Sequence, residues 1–441
     1  MFTRDQAQKL AEKILSYSTF PECAVTLGSS EDLNIRFANN GITTSGFTVE
    51  RTLVISSTRD QKTGATRTDS IDDDALRAAV KRSEELAGFA PANPEHMPPL
   101  GPQPYPALAN FAQETARARA PEIIPHIRAI IAAATKERLV AAGFFERSAE
   151  TSALANKKGL FGYHRSTDSR LSTTIRTPDG SSSGWAAQPA VRVSELDGAA
   201  LAAVAVEKCL RWRKPVRLEP GKYTVVLEAA ASGDLLRMAA FSFSARMAEE
   251  GRSFLSKPAG GTLLGEKLFP EMVTLRSDPF DTRLPSPPWS LDFLPTRKMT
   301  WIDQGVVRNL YYDRYWAQKA GNQPTPFPGS MLLEGAEASL EDLVASVERG
   351  LLVTHFWYIR VLNPKTLQLT GLTRDGLFLI EKGKISNPVV NFRFNQSPVR
   401  LLQNVRRLGR PMRVRGLEGG SMIAPPLVSS DFTFSSISDA V

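Results

Sequence analysis

Histidine and cysteine are the side chains best suited to hold a transition metal, and this sequence scatters them. Its 441 residues contain four histidines and two cysteines, and no histidine lies within ten residues of a cysteine or of another histidine. A catalytic zinc ion normally takes two ligands from one helix or hairpin, because local spacing then fixes their geometry. We therefore expect no metal and ordinary core or surface imidazoles, unless remote residues converge. The residues are Cys23, Cys209, His96, His126, His164 and His355.

Two glycine-rich segments match chemical motifs only formally. Residues 180–184, GSSSG, fit the pattern of a serine nucleophile, but that motif needs an apolar strand before it and a helix after it. Pro178 and Asp179 precede it instead, so we predict a polar hairpin turn. Residues 260–267 resemble a phosphate loop, but the lysine comes one residue late and no serine or threonine follows to hold magnesium. Neither segment predicts a catalytic or cofactor site.

A run of arginines near the C-terminus is the best candidate for contact with nucleic acid. Leucines and valines interrupt it, so we predict arginines on the outer side of a helix whose other side is buried. The run has no aromatic residue for stacking on bases. We favour a solvated face or a protein interface over contact with phosphates. The residues are Arg400, Arg406, Arg407, Arg410, Arg413 and Arg415.

Composition indicates a folded protein of two or three packed units. Hydrophobic residues make up 42% and charged residues 23%, and 54 lysines and arginines exceed 46 aspartates and glutamates by a net charge of +8. Two cysteines cannot build a disulfide framework, which favours a reducing compartment, the cytoplasm. The first residues lack the apolar core of a signal peptide, and no stretch is apolar enough to span a bilayer. We expect neither export nor membrane insertion.

Hydrophobic periodicity predicts an α+β fold in three parts. Residues 1–107 form a mixed sheet with helices: one helix, five short strands between residues 22 and 70, a helix over 70–89, and a linker. The linker, residues 90–107, holds seven prolines. Residues 108–215 form a middle α/β segment, whose independence as a domain stays open. Residues 216–441 form the larger β-rich part, with one long helix over 232–251.

Residues 224–256, TVVLEAAASGDLLRMAAFSFSARMAEEGRSFLS, resemble the signature region of the TldD/PmbA family. In its protease members a strand and a glycine precede an HExxxH helix that binds zinc. Further matching stretches are residues 36–57, 265–279, 306–321 and 373–409, so the resemblance spans nearly the whole chain. Part of this family was once labelled a modulator of DNA gyrase.

The resemblance implies that this chain has lost the zinc site. Position by position, the first histidine falls on Arg237, the glutamate on Met238 and the second histidine on Ser242. The family's third ligand is a cysteine near the C-terminus, and this chain has none after residue 209. A guanidinium repels a dication, methionine takes no proton from water, and a neutral hydroxyl is a poor zinc ligand. We therefore expect no catalytic residue, metal or cofactor.

Proteases of this family pair a TldD chain, which carries the motif, with a TldE or PmbA-type chain that lacks it. The resemblance implies that this chain is the metal-free subunit, with a zinc-bearing partner cutting peptides in a shared cavity. Arg237 would satisfy a neighbouring carboxylate, which we favour, or bind a peptide carboxylate. Alternatives are a self-associating dimer that binds peptides, and a regulator linked to nucleic acid or gyrase. An independent hydrolase with an unrecognised site is a further alternative.

Overall fold

A computed structural model describes residues 1–416 and 420–438, and it confirms the α+β class. Within these ranges, no helix is long and apolar enough to cross a membrane. The helices are α1 Arg4–Tyr17, α2 Asp73–Phe89, α3 Gln113–Arg117, α4 Ala120–Lys136, α5 Gly198–Arg211, α6 Ala229–Leu236, α7 Ala245–Glu249, α8 Arg314–Ala320, α9 Leu340–Ala345 and α10 Pro398–Gln403. The strands are β1 Glu22–Ala38, β2 Gly41–Arg59, β3 Lys62–Thr68, β4 Val140–Asn156, β5 Phe161–Arg176, β6 Ser183–Ala190, β7 Gly221–Leu227, β8 Leu275–Ser277, β9 Met299–Asp303, β10 Val306–Val307, β11 Met331–Leu333, β12 Arg349–Asn363, β13 Gln368–Glu381, β14 Lys384–Pro388, β15 Phe392–Gln396, β16 Val405–Leu408, β17 Met412–Arg415, β18 Ser421–Ala424 and β19 Leu427–Ile437.

The first half of the chain builds one antiparallel sheet in the order β3-β2-β1-β4-β5-β6. Strand β1 pairs with β4, so the residues predicted as an N-terminal part and a middle segment share this sheet. The expectation of five short strands was wrong, since they merge into β1, β2 and β3. Strand β1 keeps its alternation of buried and more exposed residues through Gly28, Ser29 and Ser30. The chain reverses at Asn39 and Asn40, whose positive φ angles suit a two-residue hairpin turn.

Helices cover one face of this sheet. Helices α1 and α2 pack over β1 to β3, and α4 and α5 pack over β4 to β6. Ile123, Ile127 and Ile130 of α4 are buried, and they meet Phe145 and Leu171 from the sheet. Alternate residues of β4 and β5 therefore point away from these helices. That second face lies against the C-terminal half of the chain, where β6 contacts β13 and β17.

The C-terminal half contains two further sheets in the described part of the chain. One has the order β10-β9-β8-β11-β18-β17, and the other has the order β12-β7-β19-β15-β13-β14 with β16 paired to β19. Their inner faces and α6 enclose the largest apolar core of the molecule, which includes Trp301, Phe392, Phe394 and Phe432. Helix α6 contacts β7, β12, β17 and β18. It therefore lies where the two sheets meet.

Two helix predictions were wrong, because in each case the backbone leaves helical geometry within the predicted range. The helix predicted over 232–251 is α6, a 3-10 helix over Arg237–Phe243, and α7. Ser244 leaves helical geometry at ψ 119°, because the backbone on either side of it bonds to Tyr311. The arginine run is not one helix either. It passes through α10, β16 and β17, with Gly409 and Pro411 between the two strands.

The proline-rich segment lies between the first sheet and the C-terminal half and is bonded to both. Asn156 on β4 donates its side-chain amide to the carbonyl of Leu100 at 2.9 Å. On the other side, Tyr105 Oη donates to the carbonyl of Phe293 at 2.7 Å. The side-chain amide of Asn110 also donates to the carbonyl of Ser286 at 2.8 Å. Residues 90–110 thus form an extended strap with fixed contacts.

Candidate functional site

The three positions that resemble the zinc motif follow directly after α6. Arg237 begins the 3-10 helix and is half-buried, Met238 packs against the large C-terminal core, and Ser242 is buried. Phe243 is fully buried against Trp301, with ring centroids 5.5 Å apart, whereas Phe241 is 68% exposed. The segment thus has one side in the core and one aromatic side chain at the surface.

Asp234 on α6 and Arg237 lie beside Gly416. A Cβ atom on Gly416 would be 2.0 Å from Asp234 Oδ1 and 3.7 Å from Arg237 Nε, so any larger residue there would displace the Asp234 carboxylate. Arg237 Nε is buried and has no hydrogen-bond partner among the residues described. No carboxylate within residues 1–416 and 420–438 forms an ion pair with Arg237. The expected neighbouring carboxylate is therefore close by in Asp234, but the guanidinium keeps an unpaired donor.

The residues at the motif positions do not fit a zinc ion. A permanent cation, a thioether and a neutral hydroxyl stand where zinc needs imidazole nitrogens and a catalytic carboxylate. Both cysteines are buried in the first sheet and its helices, Cys23 on β1 and Cys209 on α5. No three histidine, cysteine, aspartate or glutamate residues group as a metal site in the part of the chain that the structure describes.

A charged junction joins the second face of the first sheet to β17. The carboxylate of Asp168 on β5 contacts the Arg413 guanidinium. It also lies 3.3 Å from Arg415 Nη1, which is 3.3 Å from Glu146 Oε1 on β4. The side chain of Arg413 is only 7% exposed. Two members of the arginine run therefore form contacts within the molecule, although the Arg415 side chain stays 30% exposed.

Arg170 stands at the centre of this junction. It lies opposite Glu146 in the sheet register and is buried, yet its Nε and Nη2 atoms have no hydrogen-bond partner among the described residues. Burial lowers the pKa of the Arg170 guanidinium, while Glu146, Asp234 and Asp168 favour its charged form. The carboxylate of Asp234 on α6 is near enough to favour the charged form of Arg170, so the junction lies beside the motif segment.

His355 lies at another point of the contact between the first sheet and the C-terminal half, where β12 meets β6. Its ring stacks on Trp185 of β6 at a centroid distance of 4.4 Å, and its Nε2 lies 3.5 Å from Asp375 Oδ2. Complete burial lowers the pKa of His355 to about 4, so the imidazole is neutral at pH 7. In the sequence, no other histidine and no cysteine lies near His355. The register of β12 with β13, which brings Asp375 to it, leaves no signal in local spacing.

The other histidines stay apart from His355 and from one another. His164 is buried edge-on to Trp289, and desolvation lowers its pKa to about 4. His96 Nε2 lies 2.9 Å from Glu22 Oε2. His126 Nδ1 accepts a hydrogen bond from the backbone N–H of Gly198 at 3.3 Å. The three lie on different elements, His96 in the proline-rich segment, His126 on α4 and His164 on β5.

The two glycine-rich segments form turns. Gly180 has a φ of +73° in the loop that joins β5 to β6, which confirms the predicted hairpin turn. Gly260, Gly261 and Gly265 all have positive φ. Lys267, the candidate phosphate lysine, is instead 2.9 Å from Glu271 Oε1. Neither segment contributes to the junction or the motif.

The fold is an α+β arrangement in which α6 lies where the two C-terminal sheets meet, with the motif positions directly after it. Three family models match consecutive parts of the chain. Residues 23–87 match PmbA/TldA metallopeptidase domain 1, residues 98–211 its central domain, and residues 220–436 its C-terminal domain. The chain belongs to the PmbA/TldD family.

Solved structures share this fold at low sequence identity. TldE from Thermococcus kodakarensis superposes with a TM-score of 0.84 at 20% identity, covering 97% of this chain and 99% of that one. A candidate modulator of a DNA gyrase from Thermotoga maritima has a TM-score of 0.84 at 18% identity, covering 97% and 100%. Another, from Bacteroides thetaiotaomicron, has a TM-score of 0.84 at 22% identity, covering 99% and 100%. No curated protein sequence matches the chain.

Proposed function

We propose that this chain is the metal-free subunit of a TldD/TldE-type peptidase assembly. It supplies interface area and part of the wall of a peptide cavity, and a zinc-bearing partner cuts the peptide. The observation that carries this proposal is the donor set after α6, where Arg237, Met238 and Ser242 replace a set that zinc requires. A permanent guanidinium at the first position opposes a dication at any working pH.

Family membership and exposed apolar surface support an assembly. The family models describe metallopeptidase domains, and one of the structures with this fold is a TldE. Phe241 is 68% exposed on the motif segment itself, and its ring lies 5.1 Å from that of Phe327. Leu291 is 70% exposed beyond it. Large apolar side chains exposed together suit a protein interface better than free solvent.

The arginine run supports a regulator of nucleic acid less well. Arg413 and Arg415 are engaged in the charged junction, and Arg410 Nε lies 3.0 Å from Glu337 Oε2. The remaining arginines of the run, Arg400, Arg406 and Arg407, lie on α10 and β16. A nucleic-acid groove needs a continuous basic surface, and three of the six arginines are engaged with carboxylates instead.

Co-expression with an HExxxH homologue tests the proposal. We expect a stable hetero-complex in light scattering, one zinc per pair, and peptidase activity that chelators abolish. The isolated chain is expected to show neither zinc nor activity. Phe241→Asp should weaken the complex about tenfold or more, because it places a charge in an apolar contact. Phe89→Asp is the matched control, since Phe89 is 86% exposed at the end of α2.

Three outcomes would overturn this function. Stoichiometric zinc with peptide hydrolysis by the isolated chain would make it an independent enzyme. A homodimer that binds peptides and ignores the homologue would make it a stand-alone binding protein. DNA affinity that falls steeply with salt and is lost on Arg406→Ala with Arg407→Ala and Arg410→Ala would make it a nucleic-acid regulator.

A further inference from the structure

An apolar cavity of about 330 Å³ lies beside the motif segment. It opens between residues 277–297 and residues 326–330, within the size range of small-ligand pockets. Phe327, one of its walls, contacts Phe241 of the motif segment. The cavity therefore opens beside the exposed apolar surface that includes Phe241 and Leu291. Six of its fourteen lining residues are aromatic or proline, namely Trp289, Phe293, Phe327, Pro279, Pro287 and Pro326.

The loop that forms one wall is held in place by several contacts. Ser290 N donates to the carbonyl of Leu294 at 2.8 Å, and Thr296 N donates to that of Pro288 at 3.0 Å, which closes a small hairpin. The strap fixes its tip through the hydrogen bond from Tyr105 to Phe293. Trp289 packs edge-on against Tyr105 at 5.4 Å. The cavity is thus preformed, which lowers the entropy lost when a ligand binds.

Two serine hydroxyls in the cavity wall have no partner. Ser286 Oγ and Ser290 Oγ are buried without a hydrogen bond to any described residue, and Ser290 is only 8% exposed. A third serine of the wall, Ser277, behaves differently, because its Oγ accepts a hydrogen bond from Trp301 Nε1 at 2.8 Å. Leaving a buried hydroxyl unpaired is unfavourable. Both oxygens lie behind the cavity surface in the described conformation, and rotation about the Cα–Cβ bond would bring either one to a ligand and pair it.

Arg297 adds an unengaged cation to the wall. It is exposed and forms no ion pair or hydrogen bond within residues 1–416 and 420–438, whereas its neighbour Lys298 lies 2.8 Å from Asp278 Oδ2. A guanidinium and free hydroxyls both donate hydrogen bonds, and a carboxylate accepts several of them. The cavity therefore combines an apolar volume with donors for one carboxylate.

We propose that this cavity binds the C-terminal residue of a peptide that ends in a large apolar side chain. The side chain fills the aromatic volume, and the terminal carboxylate accepts hydrogen bonds from Ser286, Ser290 and Arg297. An internal apolar residue would fill the volume but bring no charge for Arg297. This inference rests on the proposed function for its peptide ligand. It adds the class of peptide, one with an apolar C-terminal residue.

Fluorescence anisotropy with the full chain alone tests the site. The probe is a labelled decapeptide that ends in phenylalanine with a free carboxylate, compared with its C-terminal amide and with a version that ends in aspartate. We expect the free acid to bind at least about tenfold more tightly than either, because removing the charge leaves the donors unpaired. Arg297→Gln should weaken the free acid about tenfold and leave the amide unchanged.

Matched variants separate the site from general effects on the fold. Ser290→Ala should weaken the free acid about threefold to tenfold, since one hydrogen bond to a charged group is lost. Arg308→Gln removes an exposed arginine paired with Asp303 and should change nothing. Thermal unfolding of each variant verifies that it is folded. Ser286→Ala provides a second hydroxyl deletion should Ser290→Ala not fold.

The outcomes distinguish this inference from the proposed function. Equal affinity for acid and amide, no binding of any of the three peptides, or an Arg297→Gln variant that binds the acid as wild type does, would overturn the site. If those results come with an active complex with the HExxxH homologue, the proposed function stands and the site fails. Selective binding of the acid without a complex would support the site and refute the assembly.

Discussion

The two faces of the first sheet carry the same strands but opposite chemistry. Under the helices, Phe145, Leu171 and Ile175 meet an apolar core. On the other face, one residue along each strand, Glu146 and Arg170 meet charged groups of β17. The apolar face stabilises by area removed from water, which many hydrophobic partners could provide. The charged face needs particular side chains at particular distances, because a buried charge left unpaired is costly.

The two faces also differ in whether the pattern of one short segment is enough to predict them from the sequence. The helical face is built from short segments that each show their own periodicity. The charged face depends on a contact between Asp168 and Arg413, which are 245 residues apart in the sequence. Such a contact is specific and has no local pattern. The two faces should therefore respond to mutation in different ways.

The largest effect should come from a cavity under the helices. Phe145→Ala should lower the free energy of unfolding by about 3–5 kcal/mol, since a fully buried phenylalanine is truncated. Urea unfolding followed by circular dichroism measures it. Phe144→Ala, one residue along and 39% exposed on the other face, should cost less than about 1.5 kcal/mol. Equal losses for the two variants would mean that the faces do not differ as described.

Removing the charge of Asp168 should give the next largest effect. Asp168→Asn leaves Arg413 and Arg415 without their shared carboxylate, and we expect a loss of about 2 kcal/mol. The same urea experiment measures it, with Asp303→Asn, at an exposed ion pair, as the control. If Asp168→Asn is as mild as the control, the junction is a surface feature and the comparison fails.

Acid should destabilise the contact between the first sheet and the C-terminal half at the point where His355 stacks on Trp185. The pKa of His355 falls from an ordinary 6.5 to about 4 in the folded chain, so the unfolded chain binds a proton first as the pH drops. Stability is fully present above pH 6.5 and is lost as the pH falls toward 4. From pH 6.5 to pH 5 this one group should contribute a loss of about 1.6 kcal/mol.

Urea unfolding at the two pH values checks the effect of His355. His355→Gln should reduce the difference, although His164, with its pKa also lowered to about 4, will keep part of it. His96→Gln is the control, because His96 is paired with Glu22 near the surface. A His355→Gln variant whose stability falls with acid as steeply as wild type would show that His355 does not titrate in this window.

The smallest effect should separate two members of the arginine run. Arg410 pairs with Glu337 in solvent, with side chains 70% and 88% exposed, so Arg410→Gln should change stability by less than about 0.5 kcal/mol. Arg413→Gln, in the junction, should cost clearly more. Thermal unfolding of both variants in parallel is sufficient. Similar values would remove the distinction between a solvated arginine and a structural one.

Local pattern was enough to predict much of the fold. The helix predicted over 70–89, which is α2, and the hairpin turn at Gly180 both follow from spacing and turn chemistry. Pattern failed where a distant partner decides the backbone. Tyr311 breaks the helix at Ser244 by bonding to the chain on both sides of it, and no local residue announces this.

The candidate site divides in the same way. The replacement of zinc ligands at Arg237, Met238 and Ser242 can be found from the sequence because it lies in one segment. The cavity beside it cannot, since Ser290 and Phe327 come from separate loops and only tertiary packing brings them to one wall. The closeness of Asp234 and Gly416 is equally invisible, because it depends on how β17 passes α6.

The proline-rich strap affects how limited proteolysis should be interpreted. Because its hydrogen bonds run to both neighbours, a single cut near Gln103 would leave each new end anchored to a different part of the molecule. The cleaved protein would keep its elution volume in gel filtration and separate into two bands only under denaturing conditions. Apparent integrity in native assays is therefore no guarantee of an intact polypeptide.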